Sequence, residues 1–189
     1  MKTIEQKREG RRKKTAEFFS PDSLVNEMLD KLPKSVWEEN KTFCDPACGN
    51  GQFLIWVLIR KLAKGHDPLD ALKSIYGVDI MTDNIKECRY RLLKVIQVVG
   101  RQEITEDHIA SVLQRIVRIN PDKIPQGALQ YDFSFKNKTS HKDVKRWMEY
   151  IHKDNVLDDV DLPVQDEMGF QPTNLVESDR FDEDGNFVG

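Results

Sequence analysis

The sequence has few cysteines and no long apolar run, and both shortages narrow the class of protein. Its three cysteines are Cys44, Cys48 and Cys88, and no second cysteine or histidine pair stands at the spacing of a tetrahedral metal site. They are predicted to be reduced, buried thiols, and no metal is expected. No run approaches the roughly 20 apolar residues of a membrane helix, and residues 1–8 lack the apolar core of a signal peptide. The sequence therefore predicts a cytoplasmic protein without membrane contact.

Charge is unevenly distributed along the 189 residues and suggests three parts. Lysine and arginine crowd residues 7–14, whereas the segment after residue 153 is acidic and lacks a helical period. We predict a flexible basic arm over residues 1–14, one domain over residues 15–153, and an acidic tail over residues 154–189 that is mobile or folds on a partner. The arm is able to neutralise DNA phosphates, although a merely solvated arm fits the composition equally well. A solubilising role is the simpler interpretation of the tail.

Two strand–helix units predict the fold of the domain. The β-prone run Thr42-Phe43-Cys44-Asp45 leads through a glycine turn into an apolar helix over residues 52–62. A second strand over residues 75–80 leads into a helix over residues 82–98. Consecutive units of this kind indicate an α/β fold with a parallel sheet and right-handed crossovers.

Weaker patterns predict the remaining elements. A helix over residues 21–32 is expected to begin at Ser20 as N-cap, with Pro21 in the first turn and an inner face that includes Leu24, Met28 and Leu32. The other expected elements are helices over residues 67–72, 104–113 and 143–152 and strands over residues 116–119 and 128–133.

The ends of the two predicted strands form a candidate nucleotide site. Gly49 and Gly51 allow close backbone approach to a ligand, and Asp45 before them can accept hydrogen bonds or pair with a cation. Asp79 ends the second strand, where a carboxylate can take both hydroxyls of a ribose, and Ile80 follows it at a position suited to an adenine face. An ordinary glycine turn, with Asp79 capping the next helix, is the alternative.

An NAD site fits less well than another nucleotide-like cofactor. The fingerprint Gly-x-Gly-x-x-Gly would need a third glycine where Leu54 stands.

The order of these features resembles the amino-terminal half of N6-adenine DNA methylases of the restriction–modification type. The resemblance covers about residues 15–98 and rests on Phe18-Phe19-Ser20-Pro21, Asp45-Pro46-Ala47-Cys48-Gly49-Asn50-Gly51 and Gly77-Val78-Asp79. It implies a class I, Rossmann-like fold that binds S-adenosylmethionine (SAM), with a parallel sheet and flanking helices. By resemblance, Phe19, Ser20, Asp45 and Gly49 hold the methionine end of SAM and Asp79 holds the ribose. The other cofactor-binding candidates are Pro46, Ala47, Gly51 and Ile80.

The methyl-transfer segment of that family is missing from this sequence. The family carries Asn/Asp-Pro-Pro-Tyr/Phe, which holds the target amine and stacks a flipped base. The nearest string here is Asn120-Pro121-Asp122-Lys123, a common turn, so Asn120 is only a weak catalytic candidate and the catalytic residue stays unknown. Gly127 also stands where the family has an acid for the adenine amine of SAM. The fold is therefore expected to be incomplete on its C-terminal side.

Two functional hypotheses follow from the sequence. The first is a SAM-dependent adenine-N6 DNA methyltransferase, either weakly active or completed by a second subunit that supplies the tetrapeptide, with DNA as its partner. The second is a catalytically inactive SAM-binding module, such as a sensor or an anti-restriction decoy that binds a methylase partner. A neighbouring reading frame that encodes the tetrapeptide would favour the first hypothesis.

Overall fold

The computed structural model describes residues 20–119, 139–153 and 155–162. Within these ranges the chain is an α/β domain with a small parallel sheet and flanking helices. The strands are β1 (Phe43–Asp45), β2 (Ile75–Asp79) and β3 (Ile116–Arg118), and the helices are α1 (Asp22–Asp30), α2 (Ser35–Glu38), α3 (Gln52–Ala63), α4 (Pro68–Lys73), α5 (Thr82–Val98), α6 (Glu106–Arg115) and α7 (His141–Lys153).

The three described strands run parallel in the order β1-β2-β3. Asp45 pairs with Gly77, and Asp79 pairs with Arg118, so the last residues of all three strands lie along one edge. Parallel strands place their carboxyl ends together, which brings the two acids predicted from the sequence to the same edge of the sheet.

Helices α3 and α5 supply most of the core. Every residue of α3 from Leu54 to Ile59 is buried, because this helix lies between the sheet and its helical neighbours. The predicted inner stripe of α5 is confirmed, since Ile85, Cys88, Leu92, Leu93 and Ile96 are all at most 3% exposed. Burying each large aliphatic side chain contributes roughly 1.5–3 kcal/mol, so these two helices anchor the strand ends between them.

The start of the first helix differs from the prediction. Pro21, rather than Ser20, is the N-cap of α1, and no side chain caps that end. Val25 and Leu29 are buried, whereas Leu24 and Met28 are close to half exposed, so the predicted inner face is only partly correct. The helical spacing identified the apolar positions of α1. Only some of these positions, on a narrower face of the helix, pack against α3.

The acidic segment begins with residues that belong to the packed domain. Leu157 is 3% exposed, and the carbonyl oxygen of Asp161 accepts a hydrogen bond from Arg91 Nε at 3.2 Å. Val156, Leu157, Val160 and Leu162 supply apolar positions that the surrounding acids obscure in the sequence. Packing therefore continues past the predicted boundary at residue 153, as far as Leu162. The predicted basic arm, the strand over residues 128–133 and the rest of the tail lie outside the described residues.

The cysteines are free thiols in two kinds of environment. Cys48 and Cys88 are buried as predicted, but Cys44 is exposed, because β1 is short and has a neighbouring strand on only one side within the described sheet. No helix in the described ranges is long and apolar enough to cross a bilayer.

Candidate functional site

The loop between β1 and α3 is held against the end of β2 by backbone hydrogen bonds. Cys48 N donates to the carbonyl oxygen of Val78 over 2.8 Å, and Gly51 N donates to the carbonyl oxygen of Cys48 over 2.8 Å. Gly49 and Gly51 have φ angles of +51° and +88°, which glycine adopts without the steric cost that other residues incur. The loop is therefore a tight glycine turn at the carboxyl edge of the sheet, as the sequence predicted.

The two glycines of the turn differ in their surroundings. Gly51 is buried, and a Cβ there would lie 2.5 Å from the Sγ of Cys88 on α5. Gly51 is thus needed for packing the turn on α5, whereas Gly49 is partly exposed. Gly77 is also required for packing, which the sequence did not reveal. A Cβ there would lie 2.7 Å from Leu54 Cδ1 and 3.0 Å from Cys48 Sγ.

Asp79 connects the loop to the segment after β2. Its Oδ2 accepts a hydrogen bond from Gly49 N at 3.0 Å, and its Oδ1 accepts one from Met81 N at 2.7 Å. The N-cap of α5 is Met81, and no side chain caps that helix, so the alternative role of Asp79 as a helix cap is wrong. An ionised carboxylate offers about four lone-pair sites. Among the described residues, the partners Gly49 and Met81 use two of these sites on Asp79, which is partly exposed.

Asp45 gives the same edge a second carboxylate. Its Oδ1 accepts a hydrogen bond from Ala47 N at 3.0 Å. Burial raises the pKa of Asp45, the hydrogen bond from Ala47 lowers it, the charge of Asp79 raises it, and the net shift is upward. Two carboxylates at one edge repel each other, so a cationic group that binds between them is favoured.

Helix α1 is fixed to the first turns of α3 by its acidic N-terminal residue. Gln52 Nε2 and Trp56 Nε1 both donate to Asp22 Oδ1. Arg60 extends this contact along the helix with a hydrogen bond of 3.0 Å to Asn26 Oδ1. Because Gln52 follows Gly51 directly, these bonds hold the start of α1 beside the glycine turn.

The structure brings most of the predicted site residues to one edge. Ser20 is two residues from Asp22 and hence within roughly 7 Å of it along the chain. Asp45, Pro46, Ala47, Gly49, Gly51, Asp79 and Ile80 all lie on β1, the turn or the end of β2. Ile80 is 50% exposed, and its side chain is accessible to a ligand. Phe19 and Asn120 lie outside the described residues.

Comparison with known proteins decides the family. The chain matches the N-6 DNA methylase family over residues 3–158. It belongs to that family. The chain is also 31% identical over 106 residues to the Type II methyltransferase M.VspI of Vibrio sp. (strain 343), a match that covers 56% of the chain. That match covers 24% of the relative, so the chain spans about a quarter of its length. No solved structure gives a significant match.

This member of the N-6 DNA methylase family has a turn supported by residues that sequence reasoning missed. Asn50 Nδ2 donates to Glu87 Oε1 at 3.1 Å, and Arg91 Nη1 donates to the carbonyl oxygen of Asn50 at 3.3 Å. Asp22 accepts a hydrogen bond from Trp56 on α3, the helix that follows the turn. These partners are 34 to 41 residues apart in sequence, so no local pattern indicates them. The family match and the motif order agree, and the predicted resemblance is confirmed.

Proposed function

We propose that the chain binds SAM at the carboxyl edge of the sheet and takes part in adenine-N6 methylation of DNA. The single observation that carries the proposal is Asp79, which stands at the end of β2 with one oxygen bonded to Gly49 and with acceptor sites that no other described residue is seen to use. Its position and its partner are those expected of a ribose-binding acid beside a glycine turn. Membership of the N-6 DNA methylase family supports the same function.

The sheet order supports a class I, Rossmann-like arrangement. The order β1-β2-β3 corresponds to one half of the doubly wound order 3-2-1-4-5-6. In sheets of that kind, ligands bind outside the carboxyl ends, next to the point where the strand order reverses. In this chain that point would be beside β1, next to the turn and Asp45.

The residues present fit the chemical groups of SAM. The remaining acceptor sites of Asp79 suit two ribose hydroxyls, and Asp45 suits the cationic amino-acid end. Ser20, held near the turn through Asp22, would approach that end together with Phe19, while Pro46, Ala47, Gly49 and Gly51 would form the floor. Ile80 is exposed beside Asp79 and would cover one face of the adenine. When bound, SAM would supply an activated methyl group.

The 189 residues lack the segment with which the family holds the target amine. The sequence contains no Asn/Asp-Pro-Pro-Tyr/Phe, and Asn120-Pro121-Asp122-Lys123 lacks both the second proline and the aromatic residue. Extruding a base costs a few kcal/mol, which stacking and hydrogen bonds to the amine normally offset. We therefore propose that a second polypeptide, or a segment beyond these 189 residues, supplies the tetrapeptide.

Methyl transfer from tritiated SAM to duplex DNA tests this division of labour. The chain alone is expected to transfer no label to adenine above background, and a candidate subunit that carries the tetrapeptide is expected to restore transfer. An Asn120→Ala variant is the matched control. Clear transfer by the single chain that is lost in Asn120→Ala would overturn the proposal and make Asn120 a divergent catalytic residue.

The missing tetrapeptide also favours a second candidate, a SAM-binding module without chemistry. In that case the chain would bind SAM, but no partner would restore transfer. The same assay, run beside a SAM-binding measurement, therefore separates the two candidates.

A further inference from the structure

A second concave surface lies between α5 and α7, outside the glycine turn. It is open to solvent and has a volume of about 540 Å³. Helix α5 contributes Lys86 and Tyr90, and the remaining lining residues Asp143, Arg146, Trp147, Glu149, Tyr150 and Lys153 come from α7. We call it the α5–α7 groove.

Three aromatic rings form one wall of the α5–α7 groove. The centroid of Tyr90 lies 5.2 Å from that of Trp147 and 6.4 Å from that of Tyr150, with the two tyrosine planes 24° apart. Tyr150 is 42% exposed, although aromatic side chains gain free energy by burial. The wall therefore ends in an accessible ring on which a further planar group could stack.

Cations surround these rings. The Nζ of Lys86 lies 4.9 Å from the ring centroid of Tyr150, and the guanidinium of Arg89 lies 5.5 Å from that of Trp147. Arg146 and Lys153 are exposed at the rim of the groove. Exposed cations beside aromatic faces are the combination by which proteins hold the backbone and the bases of a single nucleic-acid strand.

Tyr90, which lines the groove, has a buried hydroxyl. Tyr90 Oη is buried and, although Tyr150 is close, has no partner of acceptable geometry among the described residues. Burial, followed by the neighbouring Tyr150, raises the pKa of Tyr90, so the phenol stays protonated and able to donate.

The end of the groove that contains Lys86 and Tyr150 lies toward the same edge of the sheet as the glycine turn. Trp147 contacts Tyr90, and Tyr150 contacts Lys86, so α7 runs antiparallel to α5 and its last turn lies beside the first turns of α5. Helix α5 starts at Thr82, three residues after Asp79, and Lys86 lies about 6 Å further along its axis. A strand that occupied the groove would therefore pass close to the proposed SAM site.

We propose that the α5–α7 groove binds one or two nucleotides of single-stranded DNA, with a base on Tyr150 and the backbone against Arg146 and Lys153. Unstacked bases expose the faces that such rings need, whereas bases within a duplex do not. Glu149 is an exposed acceptor for an exocyclic amine at the base edge. This inference goes beyond the proposed function, because it requires neither SAM nor methyl transfer.

Fluorescence anisotropy with a labelled single-stranded oligonucleotide of about 20 nucleotides tests the proposal without SAM present. Tyr150→Ala is expected to weaken binding about tenfold, the loss of one base stack, whereas Tyr150→Phe keeps the ring and stays within about twofold of wild type. Arg146→Ala is expected to lower the slope of log affinity against log salt by about one. Lys64→Ala, which removes the same charge at an exposed site on the end of α3, is the control and is expected to change affinity less.

The same measurement has outcomes that would overturn the proposal. Binding that is salt-dependent but identical in Tyr150→Ala would assign DNA contact to another surface, such as the basic arm. Duplex DNA that binds more tightly than the single strand, with no loss in Tyr150→Ala, would also reject a stacking groove. Because SAM is absent throughout, failure of the proposed SAM site would leave these results unchanged.

Discussion

The backbone amide of Gly49 donates a hydrogen bond to Asp79 Oδ2 over 3.0 Å, so one carboxylate both shapes the glycine turn and faces the proposed ribose position. Gly49 has a positive φ, and the bond to Asp79 helps to hold that conformation. A substitution at Asp79 therefore acts on the turn as well as on the ligand. Any test of this residue needs a variant that separates the two effects.

Asp22→Ala is expected to weaken SAM binding about tenfold. The Asp22 carboxylate accepts hydrogen bonds from Gln52 and Trp56. Each hydrogen bond to a charged group stabilises the folded arrangement by about 1.5–3 kcal/mol. Without them the start of α1, with Ser20, would no longer be held beside the turn. Isothermal titration calorimetry with S-adenosylhomocysteine measures the effect.

Two control variants show whether position is the cause. Asp22→Asn keeps an acceptor oxygen and is expected to recover most of the affinity. Asp30→Ala removes the exposed partner of Arg60 on the same helix and is expected to leave binding unchanged. Equal affinity in wild type and Asp22→Ala would show that α1 does not position the site.

Acidification is expected to weaken SAM binding through Asp45. Its pKa is raised, chiefly by burial, so the carboxyl begins to take up a proton at a higher pH than an ordinary aspartate. A neutral carboxyl no longer attracts the cationic end of the ligand, so affinity should fall as the pH drops through the raised pKa. SAM-binding titrations of wild type and Asp45→Asn, at pH values above and below the raised pKa of Asp45, check the expectation. Asp45→Asn should bind SAM weakly, and its affinity should depend less on pH than that of wild type. If the affinities of both proteins change with pH in parallel, the assignment of Asp45 is contradicted.

Lys61 is buried, and no carboxylate in the described part of the chain pairs with it. Its side chain is fully buried, and Nζ donates to Asn40 Oδ1 at 2.7 Å and to the carbonyl oxygen of Lys41 at 2.6 Å. Burial lowers the pKa of Lys61 to about 8. The folded chain therefore releases this proton at a lower pH than the unfolded chain, in which lysine titrates near its ordinary value.

Stability is expected to rise with pH because of Lys61. Between its folded and unfolded pKa values the unfolded state binds more protons, so the free energy of unfolding increases with pH in that window. From about pH 7 to about pH 9.5, wild type should gain up to about 2 kcal/mol relative to Lys61→Met. Urea unfolding at both pH values measures this difference. Lys64→Met, which keeps Lys61 and changes an exposed position one turn along, should show the same gain as wild type. A wild type whose stability changes with pH no more than that of Lys61→Met would contradict the lowered pKa of Lys61.

Local patterns predicted the elements that build the site, and tertiary contacts account for what they missed. The strand, turn and helix around Gly49 and Gly51 follow from residues adjacent in sequence, and so does Asp79 at the end of β2. Asp22 and Trp56 meet across 34 residues, and nothing near either residue indicates that contact. The order of motifs indicated only that the segment before α1 belongs to the site.

Burial was predicted less well than secondary structure. Leu24 and Met28 fit a helical stripe, but α1 is held to α3 partly by polar side chains, and these two residues remain exposed. Lys61 is the opposite case, because it is a charged residue that is nevertheless buried. It lies on the apolar helix α3, which packs inside the domain. Leu157 belongs to the core, although the residues around it in the sequence are acidic. The average composition of a segment does not show which of its few apolar residues pack.

Calorimetric titration of the chain with S-adenosylhomocysteine tests the SAM site most directly. Wild type is expected to bind in about the micromolar range or weaker, because Gly127 replaces an acid that would hold the adenine amine. Asp79→Ala should abolish the binding heat, whereas Asp79→Asn, which keeps one acceptor for Gly49, should weaken binding without loosening the turn. Unchanged affinity in Asp79→Ala would contradict the assignment of this edge as the SAM site.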